Sequence, residues 1–178
     1  MSTLHVENLK GLSSGGNANK IIVPSGQTLD ASAGVLTPSS GHVVQYIPAS
    51  FATFQTRFST TSNSYSATSY SLTITPKSST NLILISYHLS AYVNNSSKYV
   101  YSIVHRVGTG AILQTENAVG LGAWATLSAS ASEVAGTTSA ITYTIYGRVN
   151  GGTGYLGWSS SPSSGQNFNS FHLMEVAQ

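Results

Sequence analysis

Three stretches of the chain alternate in side-chain character with a period of two, and this pattern constrains the fold most strongly. In residues 82–92, 99–107 and 141–149, Ile, Leu, Val and Tyr recur at every second position. Successive strand residues point to opposite faces of a sheet, whereas an amphipathic helix needs an apolar stripe at 3.6-residue spacing. Since no window of helical length carries such a stripe, the sequence predicts an all-β chain.

Turn-forming residues divide the larger, C-terminal part of the chain into short segments. Between them we predict eight strands, at about 43–58, 70–75, 81–92, 99–107, 111–117, 122–130, 139–149 and 170–177. Eight short strands over this length are typical of an antiparallel two-sheet sandwich of the jelly-roll type.

The first 41 residues differ in composition from the rest. They contain no aromatic residue, and glycines at 26, 34 and 41 each follow a short segment with an isolated apolar residue. Such a segment cannot fill a core of its own, so we predict an extended N-terminal stalk or attachment segment over 1–41 and a folded domain over 42–178. A flexible linker is the alternative. The regular apolar positions favour three intertwined chains, a homotrimer with contacts at Ile21, Val23, Leu29 and Leu36.

Charged residues are scarce, at 7% of the chain, with a net charge of +2 and no cysteine. Seven scattered Lys and Arg form no basic patch for nucleic acid. The apolar runs are too short to span a membrane, no secretion signal opens the chain, and disulfides are excluded. Ser and Thr are abundant instead, with 31 and 19 copies. Low charge favours assembly, because little repulsion keeps copies apart.

The sequence contains no convincing motif for catalysis or metal binding, because the residues around each match do not support the chemistry. The segment Gly11-Leu12-Ser13-Ser14-Gly15 matches a hydrolase pattern, but no helix follows it. The five histidines, at 5, 42, 88, 105 and 172, lack the spacing of a metal pair, and the five acids are isolated. We predict a protein that is not an enzyme and holds no metal or cofactor.

Two predicted strands, around 82–85 and 99–104, are apolar on both faces. One face of an antiparallel sheet usually meets water, so the second apolar face needs a partner. A neighbouring subunit would supply it, which makes Tyr99 and Tyr101 candidate trimer contacts. A thick core within one chain is the alternative.

The even number of strands predicts which loops share an end of the sandwich. The last of eight antiparallel strands ends where the first began, so the C-terminal residues 175–178 should lie beside the stalk. The opposite, distal end then carries the loops at about 59–69, 93–98, 118–121 and 150–169.

The last of these loops, at 150–169, is unusually long, and long loops are often functional. Its aromatic residues, Tyr155 and Trp158, lie among Gly, Ser and amides, which suits carbohydrate recognition. Aromatic residues that fold back over the sandwich are the alternative.

Several segments resemble a known family. The opening residues 2–9 (STLHVENL) and 20–30 (KIIVPSGQTLD) resemble the N-terminal region of tail-fibre-like proteins of marine tailed bacteriophages. Residues 70–85 (YSLTITPKSSTNLILI), 138–143 (TSAITY), 151–155 (GGTGY) and 173–177 (LMEVA) resemble their C-terminal domain. The resemblance implies a virion structural protein, on the tail or capsid surface. It would be a homotrimer with an intertwined stalk and a jelly roll like those of C1q and tumour necrosis factor.

The function that follows from this resemblance is host attachment. We expect a short trimeric tail fibre or spike whose stalk docks on another virion protein. Its distal loops would bind a host surface receptor, for which the expected chemical class is carbohydrate. The candidate receptor-binding residues are Tyr65, Asn94, Asn95, Lys98, Tyr155, Trp158 and Asn167. The alternative is a capsid decoration or head-fibre protein with a structural role.

Overall fold

The computed structural model describes residues 13–16, 22, 25–26, 39–49, 57–95, 97–119, 125–157 and 169–178, with the backbone alone for 111–119. The chain divides into two compact units, Met1–Thr37 and Pro38–Gln178. In the first unit, Ser25 and Gly26 lie in a turn, and φ at Gly26 is +81°. The proposed stalk contacts Ile21, Val23, Leu29 and Leu36 lie outside the described residues.

The second unit is built from ten strands. They are β1 (Val43–Pro48), β2 (Phe58–Thr60), β3 (Ser66–Ile74), β4 (Leu82–Val93), β5 (Tyr99–Arg106), β6 (Gly110–Val119), β7 (Ala125–Val134), β8 (Ile141–Val149), β9 (Gly154–Leu156) and β10 (Ser170–Val176). The described residues contain no helix, and the all-β prediction is confirmed. The single strand predicted over 43–58 was wrong, because β1 ends at Pro48 and β2 pairs elsewhere. The short strand β9 was not predicted.

Two antiparallel sheets form the sandwich. In the first sheet, β4 lies between β10 and β7, β1 extends the sheet beyond β10, and the short strands β9 and β2 continue it beside the far end of β4. The second sheet has the order β3-β8-β5-β6. When β2 and β9 are set aside, eight strands remain, and the first pairs with the last, the second with the seventh and the third with the sixth. This nesting is the jelly roll that the sequence predicted.

The core lies between the inner faces of the two sheets. The alternating residues predicted to face inward on β4, Ile83, Ile85, Tyr87 and Leu89, are fully buried. The Tyr87 hydroxyl of the first sheet and the Ser102 hydroxyl of the second lie 2.7 Å apart, so this buried polar pair joins the sheets. Each large buried side chain contributes roughly 1.5–3 kcal/mol to stability. The other large side chains that are fully buried are Tyr70, Ile74, Leu127, Tyr143, Ile145, Leu156, Phe171 and Leu173.

The chain enters and leaves the sandwich at one end, here called the basal end. The Ala177 carbonyl accepts a 2.8 Å hydrogen bond from the Gly41 amide, and the Ala177 amide donates one of 2.9 Å to the His42 carbonyl. The C-terminal residues therefore lie beside residues 41 and 42, where the folded domain was predicted to follow the stalk. Their predicted position beside the rest of the stalk stays a prediction. Strand β4 leads from this end, where Leu82 pairs with Val176, to the distal end, where Val93 pairs with Gly154.

Candidate functional site

Three of the predicted distal loops meet at the end of the sandwich opposite the chain entry. Asn94 holds the loops together, because its backbone amide donates to the Thr153 carbonyl at 3.1 Å and its side-chain Oδ1 accepts from the Thr153 amide at 2.7 Å. The third loop joins through the Val149 amide, which donates to the Ser62 carbonyl at 2.9 Å. The predicted grouping of loops is confirmed for these segments.

The tip of the distal end exposes amides beside a cation. Asn94 and Asn95 are exposed, and Lys98 is half-buried with its stem against Gly151. A Cβ on Gly151 would come within 2.9 Å of Lys98 Cε, and φ at Gly151 is +141°. Glycine at this position therefore lets the Lys98 stem pack closely against the backbone. The structure brings three of the predicted site residues together here.

Tyr65 belongs to a second cluster, on the outer face of the second sheet. Arg148 is its centre, with Cζ 3.9 Å from the Tyr101 ring centroid and 5.1 Å from that of Tyr65. Arg148 Nη1 donates to Asn63 Oδ1 at 3.2 Å. A guanidinium over aromatic faces is attracted to their π-electrons and is held in a defined orientation.

Asn150 fixes the other side of this cluster. Its Oδ1 accepts from the Tyr99 amide at 2.7 Å, and its Nδ2 donates to the Tyr101 hydroxyl at 3.3 Å. The Tyr99 ring lies 6.4 Å from the Tyr101 ring and is 45% exposed. The cluster therefore offers solvent one open aromatic face beside a positioned guanidinium.

Sequence analysis missed Arg148 and Asn150 as site residues. The signal that identifies them is cross-strand register, since Arg148 pairs directly with Tyr101 across β8 and β5.

Tyr155 lies apart from these residues. It was predicted in a loop, but it is the central residue of β9, paired with Tyr92 and Ser59. Its ring lies 5.8 Å from that of Tyr92 and 4.6 Å from Arg57 Cζ. Because β9 belongs to the first sheet, this cluster lies on a different sheet from Tyr65. Trp158 and Asn167, the remaining candidates, lie outside the described residues.

Charge is unevenly distributed between the two ends. Among the described side chains, the one ion pair joins Arg106 to Glu133 at 3.2 Å, and Arg106 also donates to the Ala135 carbonyl. Glu175 lies at the basal end beside the Asn81 amide. The distal cations Lys98 and Arg148 have no such carboxylate partner among the described side chains.

A different surface, on the outer face of the first sheet, is apolar. At the basal end, the register aligns Val43, Val176, Leu82 and Val134 in one row across four strands. The next row is Tyr46, Met174, Leu84 and Ser132. Val43, Tyr46, Leu84 and Val134 are all exposed, with 38% or more of each residue accessible. We call these two rows the basal rows.

The described residues contain neither a metal-binding cluster of three or more His, Asp or Glu side chains nor a helix that could cross a membrane.

No family model and no curated protein matches the chain. Among solved structures, it is similar to one of infectious bursal disease virus strain Gx, with a TM-score of 0.46, 10% identity and coverage of 89% of this chain and 44% of that one. A structure of strain Gt gives 0.42, 10%, 87% and 42%. The chain spans less than half of either, and similarity at this level assigns no family or function.

Proposed function

We propose that the chain is a virion structural protein, the head of a short trimeric tail fibre or spike that binds the host surface through its distal end. The observation that carries this proposal is the separation of the two ends. The chain enters at Gly41 and leaves at Ala177, while the loops that expose Asn94 and Asn95 gather at the other end. An attachment protein needs this arrangement, with its anchor and its binding face at opposite ends.

The chemistry of the distal end suits a carbohydrate receptor. The ring of Tyr99 is open for stacking, and Asn63, Asn94 and Asn95 are exposed amides that match sugar hydroxyls. Individual contacts of this kind are weak. A trimer would present three copies, and several trimers on one particle raise avidity without a strong single site.

The basal rows support self-association. They hold aliphatic and aromatic side chains on adjacent strands and carry no charged residue, which is typical of a surface covered by another copy. Tyr99 and Tyr101, the contacts predicted from sequence, lie on the other sheet. Within the chain, Tyr101 already contacts Arg148 and Asn150. We therefore assign the trimer contact to the basal rows.

Immunogold labelling of intact particles tests the virion assignment. Antibodies against the distal loops should label the particle at the tail, on native virions that adsorb to cells. Label on the capsid would favour the decoration or head-fibre alternative. The absence of label from purified, infectious particles would overturn both.

A further inference from the structure

We infer that the distal outer face of the second sheet binds a carboxylated sugar, such as a uronic acid, with Arg148 as the carboxylate ligand. This inference rests on the proposed function and names the chemical class of the receptor. It uses a residue pair, Arg148 and Tyr99, that neither the jelly-roll fold nor the strand pattern requires.

The first step of the argument is the state of the guanidinium. Arg148 is half-buried, and among the described residues one of its five N–H donors is used, by Asn63 Oδ1. The described side chains supply no carboxylate to it. An arginine in this state keeps an open edge whose geometry matches a planar carboxylate, which accepts two parallel N–H bonds.

The second step is preorganisation. Tyr101 and Tyr65 hold the guanidinium by their rings, and Asn150 in turn holds the Tyr101 hydroxyl. A side chain fixed before binding loses less conformational entropy when the ligand arrives. The cluster is therefore built for an anion, unlike an isolated surface arginine.

The third step identifies a sugar. The exposed Tyr99 ring lies beside Tyr101, so a pyranose could stack there while its carboxylate reaches Arg148. A single guanidinium matches the charge of one carboxylate. A phosphate monoester carries about −1.5 to −2 at pH 7 and needs further cations or donors. We therefore assign a carboxylated sugar over a phosphorylated one.

One acid lies near this face in the sheet. The backbone register places Glu116 of β6 opposite Tyr101, which is itself opposite Arg148. The inference requires that Arg148 binds the ligand with Glu116 present. The Glu116→Gln variant therefore belongs in the test.

The test is calorimetric titration of the full chain with trigalacturonic acid and, as the matched probe, its methyl ester. We expect the acid to bind about ten- to a hundredfold more tightly than the ester. Arg148→Gln should abolish this preference. Lys77→Gln, which removes an exposed cation at the basal end, should keep it.

Three results would overturn the inference. They are equal affinity for acid and ester, a preference that survives in Arg148→Gln, and a preference that appears only in Glu116→Gln. Tighter binding of glucose 6-phosphate than of galacturonic acid would overturn the choice of carboxylate. If the chain blocks phage adsorption yet shows no acid preference, the proposed function stands and this inference fails. If the chain does not block adsorption, the proposed function itself is wrong, whatever the titration shows.

Discussion

Glu175 is fully buried, and its carboxylate accepts a 2.7 Å hydrogen bond from the side-chain amide of Asn81. Gln45 Nε2 and the backbone amides of Lys77 and Ser78 also donate to this carboxylate. The cluster ties β1, β10 and the loop before β4 together at the basal end. Four donors around one acceptor group make the ionised form the one that the fold requires.

This cluster predicts acid-sensitive stability. Burial alone would raise the pKa of the Glu175 carboxyl, but the hydrogen bonds from Gln45, Asn81, Lys77 and Ser78 outweigh it and lower the pKa below its ordinary value of 4.5. Because the folded pKa is the lower one, the stabilisation is complete above about pH 4.5 and is lost as the pH falls through the folded pKa. Urea unfolding across this range measures it.

The Glu175→Gln variant is the matched control for this effect. The new amide would face donors with an NH₂ group of its own, so we expect a loss of about 1–3 kcal/mol at neutral pH and a weaker acid dependence. If the unfolding free energy of the variant fell as steeply at acid pH as that of the wild type, the role of Glu175 would be contradicted.

Gly157 should not tolerate a side chain. Its φ is +96°, and a Cβ there would lie 1.6 Å from the hydroxyl oxygen of the buried Tyr70. We expect Gly157→Ala to cost more than about 2 kcal/mol in unfolding free energy, from strain and overpacking together. Gly108→Ala is the control, since φ there is +90° but nothing lies within 4 Å of the added Cβ. Equal losses in the two variants would show that the contact with Tyr70 is unimportant.

His172 adds a second pH dependence near neutrality. Burial lowers the pKa of its imidazole, and the charge of His88 lowers it further. The unfolded chain then binds the proton more readily, so stability should fall as the pH drops from about 7 through 6.5 towards the folded pKa. NMR titration of His172 checks the direction, and His88→Asn should move the pKa upward. A pKa above 6.5 in the wild type would contradict the account.

A substitution in the basal rows should lower the mass of the particle in solution without unfolding the chain. If the proposed trimer forms through these rows, Leu84→Ser should convert it to smaller species in light scattering, because the substitution places a hydroxyl at the centre of the apolar rows. Val107→Ser is matched to it, since Val107 is also exposed, at 60%, but lies outside the rows. A wild-type chain that is monomeric at micromolar concentration would reject the assembly proposal.

The sequence predicted the sandwich well where alternation was long. Strands β4, β5 and β8 were placed within one or two residues, because nine or so alternating residues define a face unambiguously. Strand β9 was not predicted, because three residues that begin with a glycine are too few to show a period. The break in the predicted strand 43–58 arises because Phe58 pairs with Leu156 of β9, and this contact between distant residues has no local sequence signal.

The site was predictable only in part. Topology alone placed Asn94, Asn95 and Lys98 at the distal end, since antiparallel strands alternate their ends. The contact between Arg148 and Tyr101 depends on the register of β8 against β5. Residues about fifty apart in sequence meet there, and no local pattern carries that information.

The most direct test of the account is competition for adsorption. Host cells are incubated with the purified full chain before phage is added, and free phage is counted. The wild type should reduce adsorption. A distal variant with Asn95, Lys98 and Tyr99 changed to Ala should lose this effect, while a basal variant with Lys77, Val107 and Thr138 changed to Ala should retain it. Equal blocking by the distal variant and the wild type would contradict a binding face at the distal end.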